Sequence, residues 1–221
     1  MNILEAMEER HSVRSYQKKP LDREIVKSLE ERIDECNRES GLHIQLIKDE
    51  PQAFDSMMAH YGKFSGVTNY IAMIGKKGKS LDELCGYYGE KLVLEAQMLG
   101  LNTCWVAMTY KKVPGVFNIS SDEKLAIVIA IGYGATKGIA HQSKEVDAVS
   151  VASDETPQWF KNGMKAAMLA PTAMNQQKFQ ISQNGNKVTA KARMGFYSKI
   201  DLGIVKYHFE IGAGKENFIW E

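Results

Sequence analysis

Two arginines four residues apart, with a hydroxyl between them, stand in the segment Arg10-His11-Ser12-Val13-Arg14. A guanidinium presents a fixed fork of donors, so this spacing suits a phosphate or the polar edge of a planar heterocycle. The same residues also read as a charged helix end, where cations complement the dipole. A second stretch, Ala170-Pro171-Thr172-Ala173-Met174-Asn175-Gln176-Gln177, is small, polar and helix-breaking. Its short side chains can reach carbonyl, imide or hydroxyl groups without crowding a ligand, although a capped turn has the same makeup. A third, Gly132-Tyr133-Gly134, precedes Lys137, His141, Ser143 and Lys144. Glycines after a strand let backbone approach a ligand, and the lysines can pair with phosphate. A solvated connector would read the same way.

Other chemistries lack their residues. There is no GxSxG elbow, no HExxH helix, and no Walker or GxGxxG loop. The three cysteines, Cys36, Cys85 and Cys104, are widely spaced and form no zinc pattern. They are expected to be reduced thiols of a cytoplasmic protein, each a small buried hydrophobe. No metal is expected. With a net charge of +1 over 221 residues, no strong field attracts nucleic acid or an anionic membrane. No apolar run approaches the ~20 residues of a membrane span, and the opening MNILEAMEERHS lacks an apolar signal core. The 11 methionines are expected to fill the core.

The elements that must position these clusters follow from periodicity. Residues 2–9 read as a short helix. Asp22 is expected to cap a second helix, with Leu21 stapled onto Val26 and Ile25, Leu29, Ile33 and Cys36 at helical spacing. His43 to Lys48 alternates as a strand. A helix is expected over 53–60, a strand over 70–74, and a long helix from Leu81 to Leu99 that stops at Gly100. Extended chain follows over 101–108. The run Leu125 to Ile131 does not alternate, which predicts a strand buried on both faces. Residues 135–154 read as an irregular connector. Beyond it come a helix over 157–169, a hairpin around Asn184-Gly185-Asn186, a helix over 200–213 and a last extended piece, 218–220. Tyr88-Gly89-Glu90-Lys91 up to Gly100 is echoed by Leu202-Gly203-Ile204-Val205 up to Gly212, a degenerate internal repeat.

Together the clusters resemble the FMN-dependent nitroreductase family. MNILEAMEERHSVRSY resembles its N-terminal helix and Arg-(Arg/His)-Ser-(Val/Thr)-(Arg/Lys) motif, and residues 170–177 resemble its A-P-S-x-x-N-x-Q motif. Leu99 to Trp105 is similar to its G-L-G-T-C-W segment, and Ala130 to Gly134 to its penultimate strand and Gly-Tyr turn. The resemblance implies an α+β fold, a mixed sheet with flanking helices. It implies FMN as cofactor, with NAD(P)H and a small acceptor such as a nitroaromatic or quinone as partners. The alternative is a non-catalytic FMN-binding or flavin-sensing protein.

In the family the A-P-S motif follows the first long helix. Here that position reads Asp34 to Ser40, without the Pro or Gln, and the motif lies in the second half. Family members bind FMN between two subunits. The displacement implies that residues 155–221 stand in for the partner of a first half, 1–150, giving a pseudo-dimer with one FMN site in a monomer or homodimer. Carried over, Arg10, His11, Ser12 and Arg14 would hold phosphate, ribityl and pyrimidine groups, and Lys144 the phosphate. Lys63 would sit at the pyrimidine edge, and Val106, Ala107 and Met108 would face flavin N5. Pro171, Thr172, Ala173 and Asn175 would close the site. No catalytic proton donor is identified.

Overall fold

The computed structural model describes residues 1–151 and 156–221. The chain opens with α1 (Ile3–Glu9), fixed by a reciprocal cap. Asn2 Oδ1 accepts the Glu5 N–H at 3.0 Å, and the Glu5 carboxylate accepts the Asn2 N–H at 2.8 Å. Arg10 ends the helix in an extended conformation. The next residues then run as a strand-like strip, bridging Ser12 to Thr103, Ser15 to Ser65 and Tyr16 to Gly134. The cluster at 10–14 is therefore extended chain rather than a helix end.

Helix α2 (Arg23–Ser40) buries Leu29, Ile33 and Cys36 and stops at Gly41, φ 70°. Asp22 stands at its N-cap but makes no side-chain cap. Its Oδ2 instead accepts from the Tyr133 hydroxyl at 2.7 Å, which corrects the expected capping role. Strand β1 (Gln45–Ile47) follows. The helix expected over 53–60 is only α3 (Met57–Tyr61). Glu50 accounts for its late start, because its carboxylate accepts the N–H groups of Gln52 and Ala53 and holds residues 52–55 as a turn. Strand β2 (Tyr70–Lys76), helix α4 (Leu81–Met98), strand β3 (Asn102–Val106) and strand β4 (Glu123–Gly132) complete the first half. Gly100, φ 80°, turns the chain out of α4 as expected. The last eight residues of β4 are nearly all buried, and both faces are covered. These strands form one antiparallel sheet, β1-β2-β4-β3.

The connector is mostly irregular but ends in a two-residue strand, β5 (Ser150–Val151). Its expected limit at Asp154 and the start of the second half at 155 lie outside the described residues. Helix α5 (Gln158–Ala167), the hairpin β6 (Phe179–Asn184) and β7 (Lys187–Ala192), helix α6 (Ser198–Ala213) and β8 (Ile219–Trp220) follow. The second sheet, β5-β6-β7-β8, is mixed, with β5–β6 and β7–β8 parallel.

The halves share one core. Leu29, Ile71 and Leu92 belong to the same buried cluster as Phe160, Phe179 and Phe209. At its centre α4 crosses α6 at backbone contact. A Cβ on Gly86 would fall 2.0 Å from the Ile200 carbonyl oxygen, and one on Gly203 would fall 2.0 Å from the Glu83 oxygen. The helices that cross, α4 and α6, each bear a glycine at the contact, and the second sheet takes β5 from the connector and its other strands from beyond it. Among the described residues, no helix is long and apolar enough to cross a membrane.

Candidate functional site

The strip after α1 and the turn after α5 face each other across one cleft. In extended chain, side chains alternate between faces. Arg10, Ser12 and Arg14 therefore point into the cleft, while Val13 is buried in the core behind. His11 lies off the cleft lining, its Cβ against Gly138, so alternation separates it from the group expected to act together. The cleft has two adjoining lobes that share Ser12, Arg14, Pro171, Thr172 and Met174. One, about 520 Å³, is lined further by Arg10, Lys63, Gly138, His141 and Asn175. No carboxylate lines it among the described residues. The other, about 450 Å³, is mainly apolar, with Trp105, Ala107, Met108, Phe196, Tyr197 and Ile204. Both sizes suit a small-molecule site of roughly 300–1,000 Å³.

Arg10 is only 4% exposed. Burial lowers its pKa, and Glu90 partly offsets that. Among the described residues its Nε has no hydrogen-bond partner, and the nearest carboxylate oxygen, Glu90 Oε1, is 3.9 Å away. A buried, incompletely paired cation is costly, and an anion in the lobe would relieve that cost. Burial also lowers the pKa of His141, whose Nε2 lies 3.0 Å from the Met168 carbonyl.

The facing turn is held in an unusual shape. Met174, Asn175 and Gln177 all have positive φ, at 50°, 53° and 47°. Among the described residues six non-glycine residues lie in this region of φ, and four of them, Lys63, Met174, Asn175 and Tyr197, line the cleft. Such strain persists only where neighbours over-determine the backbone. Here they do. Asn175 Nδ2 donates to the Gln142 carbonyl at 2.8 Å, and Gln177 Nε2 donates to Asn175 Oδ1 at 2.8 Å. Asp201, in the first turn of α6, accepts the Ala173 N–H at 2.9 Å and Gln176 Nε2 at 2.8 Å. Burial raises the Asp201 pKa to about 6, against the pull of those two donors.

Besides His11, other expected positions fall elsewhere. Val106 turns into the core on the other side of the sheet, leaving Ala107 and Met108 to face the apolar lobe. Lys144 does not line the cleft. Its Nζ donates to the Gln176 carbonyl at 2.7 Å and its N–H to Gln177 Oε1 at 2.8 Å, strapping the connector onto the turn. Gly132 to Gly134 also stay outside, and the same segment reaches the lobe through Thr136, Gly138 and Ile139. Met108 and Met174 are exposed at the cleft rather than filling the core. Sequence reasoning missed Asp201 and Trp105, the first hidden among ordinary helix acids. Among the described residues, no group of side chains suited to a metal occurs, and all three cysteines are buried and free.

Residues 2–213 match the family described as "Putative TM nitroreductase". A "putative nitroreductase" of Thermotoga maritima superposes with a TM-score of 0.70 at 22% identity, covering 98% of this chain and 85% of that one. A "putative nitroreductase in complex with FMN" from Desulfovibrio desulfuricans gives 0.55 at 16% identity, over 71% and 99% of the two chains. A nitroreductase family protein of Streptococcus pneumoniae gives 0.55 at 14%, over 69% and 100%. No curated protein matches.

Proposed function

The chain belongs to the nitroreductase family described as "Putative TM nitroreductase", and from that premise we propose that it is an FMN-dependent oxidoreductase. It takes reducing equivalents from NAD(P)H and passes them to a small planar acceptor such as a nitroaromatic or quinone. One observation carries the reading. Arg10, Ser12 and Arg14 of the first half share a cleft with Pro171, Thr172 and Asn175 of the second, cationic at one end and apolar at the other.

The residues fit the cofactor. A buried guanidinium whose Nε has no partner, and a lobe with no carboxylate, both among the described residues, suit a phosphate. Lys63 and Arg14 bring further positive charge, which favours an anionic reduced ring. The FMN complex of the Desulfovibrio relative supports the choice of flavin. In this reading the second half, residues 155–221, replaces a partner subunit, so one chain makes one complete site.

When bound, FMN supplies the two-electron chemistry. The protein's share is to orient and to exclude water. Trp105 and Ile204 wall the apolar lobe, and Ala107 and Met108 offer it a small, open edge where donor and acceptor take turns. Such alternation gives ping-pong kinetics. Anaerobic NAD(P)H should bleach the visible flavin bands of the purified protein, and a quinone should restore them. A yellow protein that does not bleach would be a flavin binder without turnover, and a protein with no affinity for FMN would end the proposal.

A further inference from the structure

Behind the cleft lies a group of ionisable side chains with no role so far. Glu90 on α4 and His208 on α6 are both fully buried where those helices meet. His208 Nε2 is 2.9 Å from Glu90 Oε1, and its Nδ1 is 3.2 Å from the Ala166 carbonyl oxygen. Trp105 Nε1 donates to Glu90 Oε2 at 3.0 Å. The Trp105 ring fits there because residue 89 is glycine, where a Cβ would fall 2.3 Å from it. One carboxylate thus touches the wall of the apolar lobe through Trp105 and stands beside Arg10 of the cationic lobe.

The protons can be counted. A carbonyl oxygen only accepts, so a hydrogen bond to Ala166 requires hydrogen on His208 Nδ1. The Nε2–Oε1 contact then holds one more proton, on either atom. A carboxylate with an imidazolium and a carboxylic acid with a neutral imidazole both leave the pair with zero net charge. The remaining arrangement, a carboxylate with Nδ1 bare, sets two lone pairs against each other in a site without water access, which is costly. Glu210, the next acid along α6, is engaged by Tyr87, Trp220 and Lys215.

We propose that Glu90 and His208 share one proton and are jointly neutral, so that the pair as a whole does not cancel the charge of Arg10, which remains available to an anionic phosphate in the cationic lobe. They are positioning residues that set charge without touching the ligand. Without His208, Glu90 would be a full carboxylate and would neutralise Arg10 from behind. The inference rests on the FMN reading above.

The test compares FMN with riboflavin, which lacks the phosphate, by quenching of flavin fluorescence on binding. In His208→Gln the pair becomes an anion, and FMN should bind about 10- to 100-fold more weakly while riboflavin changes by less than about threefold. In Glu90→Gln, and in the double variant Glu90→Gln/His208→Gln, the pair stays neutral, and FMN affinity should stay within about threefold of the parent. Should His208→Gln not fold, the other two still decide, because a carboxylate needed to hold Arg10 would make both lose their preference for FMN. An unchanged FMN-to-riboflavin ratio in His208→Gln, or its loss in the neutral variants, overturns the inference. A parent protein that binds flavin but does not prefer FMN over riboflavin removes the phosphate assignment and this inference with it. One that binds neither removes the flavin reading itself.

Discussion

Replacing Asp201 with Asn should reverse its effect on stability between acid and neutral pH. The carboxyl is buried, and its pKa rises from the usual 3.8 to about 6. The folded protein therefore holds this proton more tightly than the unfolded chain does. Unfolding releases it between pH about 4 and about 6, so stability falls as pH rises through that window. A displacement of about two pH units, at about 1.4 kcal/mol each, removes about 3 kcal/mol by pH 7. Asn avoids that loss. Its amide oxygen keeps the Ala173 N–H, but its NH₂ group meets the Gln176 Nε2 donor, costing about 1 kcal/mol. The Asn variant should thus be about 1 kcal/mol less stable at pH 4 and about 1–2 kcal/mol more stable at pH 8. Urea unfolding of both proteins at intervals over that range reads the difference directly, since every other titrating group cancels. A difference that stays constant with pH would refute the assignment of a displaced Asp201 titration.

Other substitutions test the framework around the cleft. Gly203→Ala drives a methyl into the Glu83 carbonyl and should cost about 3 kcal/mol or more, seen as a fall in Tm. A melting point within a degree of the parent would mean the α4–α6 crossing is not as close as described. Met174→Gly relieves a side chain held at φ 50° and should raise stability by up to about 1 kcal/mol despite the added flexibility of glycine. A clear loss would show that the exposed Met174 side chain makes contacts that outweigh its strain. Arg10→Ala should weaken FMN roughly 10- to 100-fold with little effect on riboflavin, since a charge-assisted bond is lost. Equal losses for both flavins would place Arg10 away from the phosphate.

Much of this arrangement is legible in the residues. The non-alternating run from Leu125 to Ile131 announces a strand covered on both faces, and Gly100 and Gly185 mark real turns at positive φ. The arginine strip and the 170–177 stretch, far apart in the chain, do meet in one cleft. What sequence hides is competition for partners. Glu50 takes the N–H groups that would have started α3 earlier, and Tyr133 takes the Asp22 oxygen expected to cap α2. The two-residue strands β5 and β8 exist only through pairing with β6 and β7. His11 and Val106 were expected in the site by their position in a motif, but extended chain sends alternate residues to opposite faces. Glu90, His208 and Asp201 look like solvent-facing helix positions until the other helix or turn covers them.

The central claim is that one chain, with its second half in the place of a partner subunit, completes one flavin site. The direct measurement is the amount of FMN retained per chain after gel filtration of protein saturated with the cofactor, read from visible absorbance against protein mass. The account predicts one FMN per chain, held by a monomer as well as by any dimer. Two equivalent flavins per chain, or a flavin held only when two chains associate, would contradict it.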